Sequence, residues 1–346
     1  MPWWDPQKHA DRRPLLNLRG RIKSGLRAWF ETQNFAEIEC GILAASPGNE
    51  AHLHAFATSR MREDGGQETL YLHTSPEFAA KKLLTAGETR IFEFARVFRN
   101  RERTRLHAPE FTMLEWYRAG EDVEAVMQDT LALTQRAAEI ADVKRLIHRE
   151  RQCDPFAEAE RLSVADAFRI HAGIEILDML DGNGNADRDL FATRARRAGF
   201  TVTAGDGWSD IFSKVLAAAI EPRLGQGHLT LLTDYPRIEA ALARPKPSDP
   251  RLSERFELYA CGVELANGFG ELTDPTEQRK RFEAEMMEKQ RVYGERYPLD
   301  EDFLAALAHM PQASGCALGF DRLVMLATGA ERIEQVLWAP VAEFGR

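Results

Sequence analysis

The sequence predicts an α+β protein built on an antiparallel sheet, and three observations lead there. Two alternating runs, residues 91–98 and 111–117, flank a short polar loop and read as paired strands. Residues 256–269 read as strand, turn and strand about Gly262. Helix-period segments precede and follow these pairs without the strand–helix–strand alternation of a parallel sheet.

The elements follow in chain order. Leu15, Leu18, Ile22, Leu26, Trp29 and Phe30 recur at helical spacing with Arg and Lys opposite, which predicts a helix over about 14–32. Residues 35–43 alternate loosely and read as a strand before the turn-rich Ser46-Pro47-Gly48-Asn49. Residues 70–73 read as a short strand, and Ser75-Pro76-Glu77 opens a helix with proline in its first turn. An amphipathic helix is predicted over 121–143, and residues 163–224 are mostly helical and carry little chemistry. Within them Asp181-Gly182-Asn183-Gly184-Asn185 imitates a calcium loop, but Ala186 and Ala192 replace the required Gly and Glu, so it reads as a plain turn. A strand at 229–232, a polar loop at 246–250, a charged helix at 276–293 and a glycine turn into an apolar helix at 319–326 complete the chain.

At 346 residues, 44% of them apolar, the chain can bury a large core. Its formal net charge of −9 disfavours a protein that grips a nucleic-acid backbone, while leaving room for a basic pocket around a small anion. No apolar run approaches bilayer length, and the start has no signal layout. Cys40, Cys153, Cys261 and Cys316 are scattered without a C-x-x-C pair. The expectation is a cytoplasmic protein with no membrane contact, no stable nucleic acid, no zinc site and no disulfide framework.

Chemistry concentrates in three segments. Arg96, Arg99, Arg101, Arg103 and Arg105 crowd one strand and its loop. Guanidinium forks with permanent charge suit a polyphosphate, and a solvated basic hairpin is the other reading. Glu115 on the next strand could present an amine to the same phosphate. Glu257 and Glu264 stand near the two sides of the Gly262 turn and could share Mg²⁺ through hard oxygen ligands. Asn267, Phe269 and Glu271 follow at period two on one strand face. They supply an amide, an apolar wall and a carboxylate, a cradle for an aliphatic chain ending in a cation; a plain surface strand is the alternative.

In combination these residues resemble the class II aminoacyl-tRNA synthetases. FRN…RxH…PEFTMLEWY at 98–117 is similar to their motif 2, and ALGFDRLVML at 317–326 to motif 3. RFELY…GVELANGFGEL at 255–272 is similar to the lysine-type subgroup. The resemblance runs from about Leu15 onward. It implies a six- or seven-stranded antiparallel sheet flanked by helices, bound ATP and Mg²⁺, and a homodimer. By position, Arg99 would hold the α-phosphate and the lysine carboxylate, assisted by Asn267, with Glu102 beside the adenylate. Arg105 and His107 would reach the outer phosphates, Phe111 and Arg322 would sandwich adenine, and Glu257 and Glu264 would bind Mg²⁺. Glu77 and Glu115 would face the amino-acid ammonium, Tyr117 and Glu271 the ε-ammonium, and Phe269 would line the pocket.

The synthetases also carry an anticodon-reading OB-fold domain that has no counterpart here, so one catalytic domain over 1–346 with a helical insertion at about 163–224 is expected. That layout resembles the truncated paralogues that attach (R)-β-lysine to a lysine of elongation factor P. Ser75 stands where the synthetases usually have Ala, and Ala317 where they usually have Gly, as a β-amino acid would require. The implied partners are therefore elongation factor P and (R)-β-lysine or lysine. A minimal enzyme charging tRNA or a small amine, and a non-catalytic regulatory subunit, are the alternatives. Three positions depart from the family pattern: Arg101 replaces the second motif 2 acid with Glu102 one step late, Ala108 replaces Asn, and Gly41 replaces the proline of the dimer-forming motif. Strand alternation would turn Glu102 to the opposite face.

Overall fold

The computed structural model describes residues 2–342. Helix α1 (Pro6–Thr32) starts ahead of the predicted boundary, because Asp5 caps it by accepting from the Gln7 and Lys8 N–H groups and Pro6 takes its first turn. Pro14 lies inside α1, so it is not the start that its residue type imitates.

The main sheet has nine strands: β1 (Ala36–Glu37), β2 (Arg90–Phe98), β3 (Glu110–Ala119), β4 (Glu160–Ser163), β5 (Thr230–Pro236), β6 (Pro245–Lys246), β7 (Asp249–Ala260), β8 (Val263–Gly270) and β9 (Ala313–Gly319). Their order is β1-β2-β3-β9-β8-β7-β5-β4, with β6 on β7. The six strands from β2 to β5 pair antiparallel, but β1 joins β2 and β4 joins β5 in parallel. The sheet is mixed, which corrects the expectation of an antiparallel one. Parallel neighbours need long crossovers, and two are present. Between β1 and β2 lie a small sheet of Leu43–Ala44, Phe56–Met61 and Gln67–Leu72, then helix α2 (Glu77–Thr85). The region 35–43 thus contributes only two short fragments in place of one strand, and Phe56–Met61 was missed. Between β4 and β5 lie α4 (Val164–Ala172), α5 (Arg188–Arg197) and α6 (Trp208–Val215), which follow α3 (Val123–Ala141). In this stretch Asp181 accepts from the Asn183 and Asn185 N–H groups, so its carboxylate is spent on a turn.

The two faces of the sheet bury different things. Along β3, Leu114, Trp116 and Arg118 face back, toward α1 and α3, with α9 (Phe320–Thr328) completing that layer. Phe30 stacks on Phe92 there at a 4.3 Å ring separation, and Asp129 of α3 receives the Trp116 indole N–H and the Arg118 guanidinium. Met113, Glu115 and Tyr117 alternate to the front, where α2, α7 (Pro275–Tyr293) and α8 (Glu301–Leu307) pack around Phe282 and Phe303. No helix among the described residues is long and apolar enough to cross a membrane.

Candidate active site

A cavity of about 630 Å³ opens on the front face. Sheet register assembles its floor. Glu115 lies beside Ala317, Ala317 beside Asn267 and Asn267 beside Glu257; in the next row Tyr117, Gly315, Phe269 and Arg255 are neighbours. A Cβ on Gly315 would overlap the Tyr117 ring and stand 2.6 Å from Glu271 Oε1, so the tyrosine lies flat only because that position is glycine.

One end of the cavity is closed by carboxylates already in contact with neighbouring side chains. Glu115 Oε1 accepts from the Tyr117 hydroxyl at 2.6 Å and Oε2 from Ser75 at 2.7 Å. Ser75 Oγ also accepts the Glu77 N–H at the start of α2, tying that helix to β3. An alanine at this position could not make either bond. Burial first, then neighbouring Glu77, pushes the Glu115 carboxyl up to about 8 against the pull of both hydroxyls. Glu271, just past β8, is 1% exposed and is raised to about 7, chiefly by burial.

The opposite end carries Arg99 and Arg322 and is built from loops and the first turn of α9. Arg99 lies over Phe111 at 5.4 Å to the ring centre. Arg322 donates to the Glu264 carbonyl at 2.9 Å and to His107 Nε2 at 2.6 Å. His107 Nδ1 is 2.7 Å from Thr104 Oγ1. Burial and the charges of Arg322 and Arg99 lower His107 to about 4, so it is neutral, and the Arg322 bond assigns its Nε2 lone pair as acceptor. Buried Asp321 accepts the Thr112 N–H at 2.8 Å and pairs with Arg19, which fixes where α9 begins and hence where Arg322 points.

Two placements depend on backbone irregularities. The pairing slips between Leu258 and Tyr259, so Tyr259 faces Glu264 while Leu258 faces Ala266. This bulge returns Glu264 to the cavity side although it stands three residues from Asn267. Arg101 adopts φ 66°, beyond the end of β2, and its side chain pairs with Glu295 while Glu102 lines the cavity. The alternation argument against Glu102 fails because the strand has ended.

Of the sequence-predicted residues, Ser75, Glu77, Arg99, Glu102, His107, Phe111, Glu115, Tyr117, Glu264, Asn267, Phe269, Glu271, Ala317 and Arg322 line this one cavity. Two do not. Arg105 is exposed on the loop. Glu257 lies behind the lining, held by Arg255 and by the Tyr259 hydroxyl at 2.6 Å each. Arg255 also donates to Asn267 Oδ1 at 3.2 Å, which leaves the Asn267 amino group free to face the cavity. Sequence reasoning missed Arg255, although it stands two residues before Glu257 on the same strand face. It also missed Gly315 and Lys81, the latter one helical turn after Glu77.

Among the described residues no trio of His, Cys, Asp or Glu could hold a metal ion. Glu264 and Glu257 are close enough to raise the Glu264 carboxyl beyond the effect of burial. Such a pair fits Mg²⁺ that takes its remaining ligands from phosphate and water.

A mixed sheet flanked by helices, with arginines at one end of its cavity and carboxylates at the other, is the arrangement of an enzyme that activates an amino acid on a nucleotide. The sequence model described as tRNA synthetases class II (D, K and N) matches residues 5–343, and the chain belongs to that family. Within it, the chain is 37% identical over 336 residues, 96% of each protein, to the elongation factor P--(R)-beta-lysine ligase of Haemophilus influenzae. Proteins of the same name from Edwardsiella ictaluri and Vibrio cholerae are 36% identical over 344 residues and 34% over 332, covering 97% and 94% of each chain.

Proposed function

We propose that this chain is an ATP-dependent ligase that activates (R)-β-lysine, or lysine, as an aminoacyl-adenylate and transfers it to a lysine side chain of elongation factor P. The observation that carries the reading is the single cavity joining an amine-binding end, Glu115, Tyr117 and Glu271, to an anion-binding end, Arg99 and Arg322. The substrate carboxylate attacks the α-phosphorus of ATP; a carboxyl–phosphorus bond forms and pyrophosphate leaves with the electrons of the broken P–O bond. The acceptor's neutral amine then attacks the acyl carbon, AMP departs, and the amine proton passes to solvent. Arg99 orients the reacting carboxylate, Asn267 assists it, and Arg322 holds the nucleotide against Phe111, so catalysis rests on position and charge neutralisation. Mg²⁺, held by Glu264 and Glu257, would offset phosphate charge. Family membership also supports a homodimer, which light scattering checks as a mass about twice 39.1 kDa.

The test is intact-mass analysis of unmodified elongation factor P after incubation with the protein, Mg·ATP and (R)-β-lysine. A gain of one β-lysyl group is expected. Charging of tRNA with no gain on the factor would replace this reading with a minimal synthetase.

A further inference from the structure

Beneath the amine end lies a cation that is not part of the cavity lining. Lys81 is 1% exposed and projects from α2 one turn after Glu77. Its Nζ pairs with Glu77 Oε1 and stands 2.6 Å from Glu271 Oε2. The contact to Glu271 is an ion pair between two side chains that are each 1% exposed. The other Glu271 oxygen, Oε1, lies over Gly315 on the floor of the cavity. Each carboxylate thus has one oxygen turned to Lys81.

We propose that Lys81 is a positioning residue for the substrate's amines: it clamps Glu77 and Glu271 at a fixed separation and supplies the positive charge buried between them. The proposal rests on the reading of the cavity as an amino-acid-activating site. Its physical basis is that three carboxylates in a closed pocket cannot all stay charged without an internal counter-ion. Once Glu115 has released its proton as an ammonium binds, the three carboxylates and Lys81 leave two negative charges in excess, which the two ammonium groups of a diamino acid neutralise. An amino acid with one ammonium would leave a buried carboxylate unpaired, so Lys81 also sets specificity.

The charged and titratable groups facing this cluster are Glu77 on α2, Glu115 and Tyr117 on β3, and Glu271 past β8. Arg244, ahead of β6, also acts on Glu271. Lys82 points to the cavity rim and is occupied by Asp300 and Asp302. Burial opposes the charge of Lys81, but Glu271 and Glu77 together hold it above the usual lysine range. Losing that cation raises the pKa of Glu271 further, so its ionised fraction falls most at the low end of the pH range.

The experiment compares wild type, Lys81→Met and Lys81→Arg in β-lysine-dependent pyrophosphate exchange between about pH 6.5 and pH 9. Lys81→Met is expected to raise KM for β-lysine at least ~10-fold at neutral pH and KM for ATP less than ~2-fold. The deficit should shrink toward high pH, and Lys81→Arg should recover part of it. A deficit flat in pH, or shared equally by ATP, assigns Lys81 a merely structural role and overturns the proposal; so does an unchanged KM for β-lysine. Should wild type show no exchange, the functional reading fails separately. Calorimetric titration of β-lysine into wild type and Lys81→Met then decides the role of Lys81, with equal, pH-independent affinities refuting it.

Discussion

The two ends of the cavity are built differently. The amine end stands on β3, β8 and β9 and on the first turns of α2, and its polar groups are bonded to one another: Tyr117 and Ser75 to Glu115, Lys81 to Glu77 and Glu271. The anion end stands on the loop after β2 and the start of α9, and its arginines lean on a ring, a neutral imidazole and backbone carbonyls. Under the proposed function a diamino acid therefore meets a preorganised set of acceptors. Under the proposed function a polyphosphate meets Arg99 and Arg322, the latter 3.5 Å from a Glu264 carboxylate oxygen that phosphate can replace. Preorganisation is dearest where the pocket must discriminate between small amines, and free charge is most useful where negative charge shifts during reaction.

Mutations separate the two ends, and the largest effect belongs to the anion end. Arg322→Ala should lower adenylate formation ~10³-fold with the fold intact by circular dichroism, because it removes a charge aimed at the nucleotide; normal pyrophosphate exchange would sink the assignment of that end. At the amine end, Glu115→Gln should abolish a pH dependence. In wild type the carboxyl near 8 is largely protonated at neutral pH, so binding an ammonium releases a proton and affinity climbs as pH rises toward 8. The same raised value means that the folded state holds a proton the unfolded chain has lost, so this group's contribution to stability declines as pH rises from the ordinary carboxyl range to about 8. Calorimetry in buffers of different ionisation heat should show the released proton in wild type and lose it in the variant.

Smaller effects refine the contrast. His107→Ala should raise KM for ATP ~10-fold, since Arg322 loses the acceptor that orients it, and should leave KM for β-lysine alone. Because His107 titrates near 4, wild-type ATP affinity should not change with this group above about pH 5. Ala317→Gly is the mildest. It removes one methyl from the row between Glu115 and Asn267 and should shift relative kcat/KM a few-fold toward α-lysine, ~1 kcal/mol. An unchanged ratio would show that Ala317 plays no part in choosing the isomer.

Much of this site was legible because its parts lie in short, locally patterned segments. The run from Phe98 to Tyr117 declares a strand, a basic loop and a second strand, and Asn267, Phe269 and Glu271 declare one face. What was not legible depends on irregularity or on distant contacts. Strict alternation puts Glu264 on the wrong face, and only the bulge opposite Leu258 and Tyr259 corrects it. Counting along a strand turns Glu102 away, whereas the left-handed turn at Arg101 brings it in. The spacing of Glu77 and Lys81 hints at an ion pair, but nothing local indicates that Lys81 also reaches Glu271.

By itself the sequence determined the class of fold and the chemical inventory: the arginines, the paired acids, the amide and the apolar wall, each recognisable from spacing because side-chain direction repeats with the backbone. The tertiary structure alone decided the parallel edge strands β1 and β4, the flat seat of Tyr117 over Gly315 and the burial of Lys81 between two carboxylates. Those features join residues far apart in the chain, and packing rather than local preference selects which distant groups meet.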